Sequence, residues 1–124
     1  MSRLICLMAG VAFAATASAA RADGDAARGE KKFEECQACH SLDRNAESVG
    51  PSLYGVFGRK AGDEAGFRYS PAMKRSGIVW TPETVSKFIT DPQATVAANR
   101  MPYAGMPDAA DRADLVAFLQ KTFK

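Results

Sequence analysis

Apolar residues along the chain form one continuous run and three stripes of helical spacing. The run is Leu4 to Ala15, preceded by Arg3 and followed by small residues up to Ala22. Ala26, Gly29 and Phe33 form the first stripe; with Asp25 as cap, they predict a short helix running into Cys36. Val85, Phe88 and Ile89 fall at i, i+3 and i+4 after Thr81-Pro82, until Asp91-Pro92 interrupts the pattern. Leu115, Phe118 and Leu119 form the third stripe. Asp108 would cap it, Asp111 and Asp114 suit its N-terminal turns, and Lys121 and Lys124 close the C-terminal end. Ser70-Pro71 through Gly77 predicts one or two further turns, with Ser70 as cap and Gly77 as stop.

Between these segments the pattern fails. Ser41 to Gly66 is rich in Gly and polar residues and has no sustained period, so it predicts a long loop that must wrap something. A second loop is expected between Asp91-Pro92 and Asp108. No pair of alternating β-runs, no repeat and no Pro/Ser-rich linker is present. The expectation is one all-α domain, a few short helices with large loops.

The apolar run changes the bookkeeping. Positive start, apolar stretch and small residues read as a secretory signal peptide over residues 1–22, leaving a domain over 23–124 and a periplasmic protein. Cleavage fits after Ala19 or after Ala22, the acidic Asp23-Gly24-Asp25 favouring the second. As a membrane anchor the run falls short of the ~20 residues that a span needs. Cys6 goes with the signal, so the mature chain keeps Cys36 and Cys39 alone. Losing Arg3 and Arg21 takes 16 basic residues to 14, equal to the 14 acidic ones, which removes the electrostatic argument for nucleic-acid binding.

A mature chain of about a hundred residues sits where a bare core is marginal, so something more should hold it together. Cys36-Gln37-Ala38-Cys39-His40 supplies it. Two thiols separated by two residues can add to the two vinyl groups of one haem, and the adjacent imidazole then takes the iron from one face. Three other readings use the same residues. A structural zinc site lacks a fourth ligand, because His40 is the chain's single histidine. A thiol-disulfide oxidoreductase would set Cys-x-x-Cys at a βα junction, and no strand is predicted here. A plain local disulfide would leave the long loop with nothing to wrap.

An electron-carrying iron favours six fixed ligands, and with no second histidine the soft donors are Met73, Met101 and Met106. Met101 lies in the irregular segment Asn99-Arg100-Met101-Pro102-Tyr103, where a loop can fold across the ring. Met106, in the same loop, is the second choice; Met73 sits in a predicted helix, where methionine usually belongs to the core.

Taken in order, Cys36, Cys39, His40, Gly50-Pro51, Tyr69, Trp80 and Met101 resemble the class I cytochromes c, in particular the bacterial soluble, mitochondrial-type branch, over residues 24–123. The resemblance implies that family's fold around one covalently bound haem c and its iron. It further implies that the Pro51 carbonyl accepts the other imidazole N–H of His40, and that Tyr69 and Trp80 hydrogen-bond a haem propionate with Arg59 nearby. Two positions depart from it: Phe88 stands where a tyrosine often hydrogen-bonds the ligating sulfur, and Met73 where an asparagine often holds an internal water. A drier methionine side follows.

The function expected is therefore a soluble carrier shuttling single electrons, not an enzyme. It would dock transiently on partners such as a cytochrome bc-type complex and a terminal oxidase, reaction centre or dehydrogenase. A gas-binding or sensing haem protein with a displaceable sixth ligand is the alternative. Lys31, Lys32, Lys60, Lys74, Arg75, Lys87 and Arg100 could form a positive rim, set apart from Asp63, Asp108 and Asp111.

Overall fold

Helix starts fall where side-chain oxygens can accept the first free amides. In the computed structural model, which describes residues 23–46 and 48–123, Asp25 accepts from Arg28 N and opens α1 (Ala26–Gln37). The expected signal peptide lies outside the described residues. Ser70 accepts from Met73 N at the start of α2 (Pro71–Arg75). Thr81 and Thr84 form a reciprocal capping box on α3 (Pro82–Thr90), and Asp108 accepts from Asp111 N ahead of α5 (Ala109–Thr122).

The second loop is not wholly irregular. Asp91, which ends α3, accepts from Ala94 N at 2.9 Å and starts α4 (Pro92–Thr95) with Pro92 at its first position. The same Asp-Pro pair that breaks one helix caps the next. Among the described residues no strand ladder forms; one antiparallel bridge joins Lys60 to Val79, flanked by Trp80 N to Arg59 O at 2.8 Å and Ala61 N to Ile78 O at 2.8 Å.

Helices α1 and α5 cross at Gly29. A Cβ built there would lie 1.9 Å from the Asp114 carbonyl oxygen and 2.8 Å from Phe118 Cβ, so only glycine permits this approach. One turn on, the rings of Phe33 and Phe118 meet at 5.4 Å. Asp114 differs from its expected part in the α5 dipole. Its buried carboxylate accepts from Asp25 N at 2.6 Å and from Arg28 Nε at 2.7 Å, tying the start of α1 to the middle of α5. The Arg28 guanidinium, with help from the Asp25 amide, holds that carboxyl below the usual range.

Phe33, Val85, Phe88, Ile89, Leu115 and Leu119 make one buried cluster from α1, α3 and α5. Phe118 of the predicted stripe is only partly buried, at the cluster's margin. The loop after α1 is held by local bonds: Gly50 N to Cys39 O at 2.7 Å, Leu53 N to Ser41 O at 2.9 Å and Ser52 Oγ to Asp43 O at 2.6 Å. These bonds bring Pro51 back against the end of α1.

Candidate functional site

The last turn of α1 carries Cys36, and the amides of Cys39 and His40 both donate to its carbonyl oxygen, at 3.1 and 2.9 Å. That tight exit puts both thiols and the imidazole at one end of the helix. His40 Nδ1 lies 2.7 Å from the Pro51 carbonyl oxygen. A carbonyl only accepts, so Nδ1 carries the hydrogen and Nε2 keeps the lone pair a metal requires. Burial pushes the His40 pKa down, against the opposing pull of the Pro51 hydrogen bond. Gly50 lets the loop come this close: a Cβ there would fall 2.7 Å from His40 Cε1 and 2.9 Å from Nδ1.

The two thiols are not joined. Burial, then the neighbouring Glu35 and Cys39, push the Cys36 thiol up to about 11. A reactive thiolate is the opposite of this environment, which counts against thiol-disulfide chemistry. Among the described residues no three His, Cys, Asp or Glu side chains gather as a metal cage.

An apolar cavity opens beside these groups. Cys36, Cys39, His40, Pro51, Arg59, Tyr69, Trp80 and Met101 all line it, so the structure brings every predicted site residue to one place. Its wall comes largely from the core: Phe33, Val85, Phe88, Ile89, Leu115 and Leu119. Phe88 presents a hydrocarbon surface and packs edge-on against Trp80 at 5.2 Å. The two other methionines separate here. Met73 is buried yet reaches the cavity, whereas Met106 is buried in the core, its amide bonded to Ile89 O at 2.7 Å, and does not line it.

Asn99 is a site residue that the sequence pattern did not reveal. Its side-chain oxygen accepts from Met101 N at 2.8 Å while its amide nitrogen donates to Pro92 O and Val96 O at 2.8 and 2.9 Å, fixing the Met101 segment on α4. Tyr103 also lines the cavity and donates to Glu35 Oε2 at 3.2 Å; burial and that carboxylate push its phenol up to about 12. Burial likewise raises the pKa of Tyr69. The available signal for Asn99 was its place before Arg-Met-Pro after a capped Asp-Pro turn. Tyr103 offered none, because its partner lies in α1, 68 residues earlier in the chain.

Two charges differ from expectation. Arg59 already has an acidic partner: it pairs with Glu64 and donates to Ser52 O at 2.9 Å. Lys32 bonds Asp111 at 2.8 Å, so these two, placed on opposite sides of the expected rim pattern, neutralise one another across α1 and α5.

A haem suits this arrangement. Unpaired thiols stand at the cavity's edge, an imidazole with Nε2 left free lines it, and hydrocarbon walls would exclude water from the ring. The family model described as Cytochrome c matches residues 26–123. The cytochrome c2 of Rhodopila globiformis is 46% identical over 98 residues, covering 78% of this chain and 92% of its own. That of Rhodomicrobium vannielii is 42% identical over 113 residues, 90% of each chain. Among solved structures, cytochrome cH from Methylobacterium extorquens superposes with a TM-score of 0.74 at 38% identity, covering 79% of this chain and 99% of its own.

Proposed function

The chain belongs to the cytochrome c family, and on that premise we propose that it is an exported, soluble carrier whose iron is ligated by His40 and Met101. It has the class I cytochrome c fold and carries a covalently attached haem c with its iron, as an electron-transfer protein. When bound, the haem supplies a one-electron couple at the iron.

The residues of this chain then do four things. Cys36 and Cys39 hold the group by thioether links, so it is not lost on dilution. Pro51 O and Gly50 fix the plane and tautomer of His40, which would leave Nε2 to hold the metal. Asn99 holds the backbone of Met101, whose neutral thioether, as an iron ligand, would favour the reduced state. Tyr69 and Trp80 provide polar groups in an otherwise apolar wall, where a haem propionate would bond, with Arg59 nearby.

The observation that carries this reading is that His40 and Met101, far apart in sequence, line the same apolar cavity. Residues 1–22 would direct export to the periplasm, and no helix among the described residues is long and apolar enough to cross a membrane. Partners would be membrane or periplasmic redox complexes: a cytochrome bc-type complex as donor, with a terminal oxidase, reaction centre or dehydrogenase as acceptor. Spectra of the purified protein and of Met101→Ala test the ligand set. The weak near-infrared iron-thioether band should be present in the parent and absent in the variant, and the reduced parent should bind carbon monoxide slowly. A band that survives the substitution transfers the ligand role to Met73, the other methionine that lines the cavity; rapid carbon monoxide binding by the parent favours gas sensing.

A further inference from the structure

Arg59 stands in the wall between two cavities. One is the apolar cavity; the other is a polar surface cleft lined by Arg44, Tyr54, Asp63 and Glu64. Its ion pair with Glu64 is largely shielded, the two side chains being 22% and 17% exposed. Arg59 also donates to the Ser52 carbonyl oxygen at 2.9 Å, so the guanidinium is held by two partners that do not line the apolar cavity. Other charges near the cleft are engaged differently or lie in solvent: Arg44 sits over the Tyr54 ring at 4.4 Å, and Asp63 is exposed.

A shielded charge beside a redox centre is screened little by water and acts on the charge that changes there. An unopposed guanidinium would favour the reduced iron, because the oxidised form carries one more positive charge. A carboxylate paired with that guanidinium works against it.

We propose that Glu64 is a positioning residue for the electron-transfer centre: it holds Arg59 toward the polar cleft and offsets its charge, setting the reduction potential lower than Arg59 alone would. The inference rests on the covalent haem and its one-electron role, and not on which methionine takes the sixth position. The Glu64 side chain does not line the cavity; it acts by holding Arg59 and by the charge it places beside that guanidinium.

Spectroelectrochemical titration of the haem-loaded protein decides the matter. Glu64→Gln, nearly isosteric, should raise the midpoint potential, Glu64→Asp should stay closer to the parent, and Arg59→Gln should lower it. A merely structural role gives the opposite sign for Glu64→Gln, since a loosened wall admits water, which favours the more charged oxidised iron. Asp63→Asn removes an equal charge from the same cleft without touching the pair and should shift the potential less. An unchanged or lowered potential in Glu64→Gln overturns the proposal, as does an equal rise in Asp63→Asn. A c-type spectrum in each variant separates that failure from failed haem attachment.

Discussion

Gly29 of α1 meets the Asp114 carbonyl of α5 so closely that an added Cβ would sit 1.9 Å from the oxygen. Backbone cannot step aside as a flexible side chain can, so Gly29→Ala must push the helices apart. Alanine gains ~1 kcal/mol in helix propensity over glycine, and overpacking costs about 1–3 kcal/mol, more where backbone is the obstacle. The clash wins. Gly29→Ala should lower the urea midpoint without changing the c-type spectrum, and an unaltered midpoint would show that α1 and α5 can separate freely.

The Asp114 carboxylate makes stability depend on pH in a definite direction. Its folded pKa is depressed below 3.8 by Arg28 and the Asp25 amide. The contribution is therefore complete well above pH 4 and is lost as pH falls through the folded value. Asp114→Asn should be less stable at neutral pH and should show a flatter decline of stability below about pH 4. Thermal melts at several pH values test this, and parallel acid limbs in parent and variant would refute it.

How far the sequence reaches can be seen in two aspartates. Asp108 was legible as a helix cap because its acceptor duty is local, three residues from the amide it receives. Asp114 looked like a second dipole residue, since nothing in its neighbourhood names Asp25 and Arg28 as partners from 86 residues away or more. The site divides in the same way. Cys36, Cys39 and His40 are contiguous and carry their chemistry in their spacing, whereas the Asn99 to Met101 bond needed the Asp91-Pro92 turn to be recognised as the start of α4. Glu64 had no local signature at all, because its importance depends on where Arg59 points.

Met106 should behave as a core residue. It is 6% exposed, with its amide bonded to Ile89 O, and it does not line the cavity. Met106→Ala should cost about 2–5 kcal/mol, the usual range for truncating a buried methionine. It should leave the near-infrared iron-thioether band in place. Denaturant titration and the oxidised spectrum on one preparation report both outcomes, and loss of the band at undiminished stability would contradict the assignment.

Gly50→Ala reaches His40, the proposed iron ligand, without altering any proposed ligand. The new methyl would stand 2.7 Å from His40 Cε1, 2.9 Å from Nδ1 and 3.0 Å from the Cys39 carbonyl oxygen. Gly50 is not in the left-handed region, so the backbone itself tolerates alanine and the strain falls on the imidazole. The Cys39 carbonyl accepts the Gly50 amide at 2.7 Å, and the proposed thioether link would hold Cys39 in place, so the ring must tilt or the loop must withdraw Pro51. Either response lengthens the 2.7 Å contact between Nδ1 and the Pro51 carbonyl, weakening the bond that orients the ring and feeds electron density to Nε2. A poorer donor stabilises the oxidised iron less, which raises the potential, while water entering past a withdrawn loop lowers it. The shift in the His40 ring resonances of the oxidised protein is common to both routes and is the expected result; the sign of the potential change then tells which part moved. Ring resonances identical to the parent's would mean that the loop absorbs a methyl group without disturbing His40.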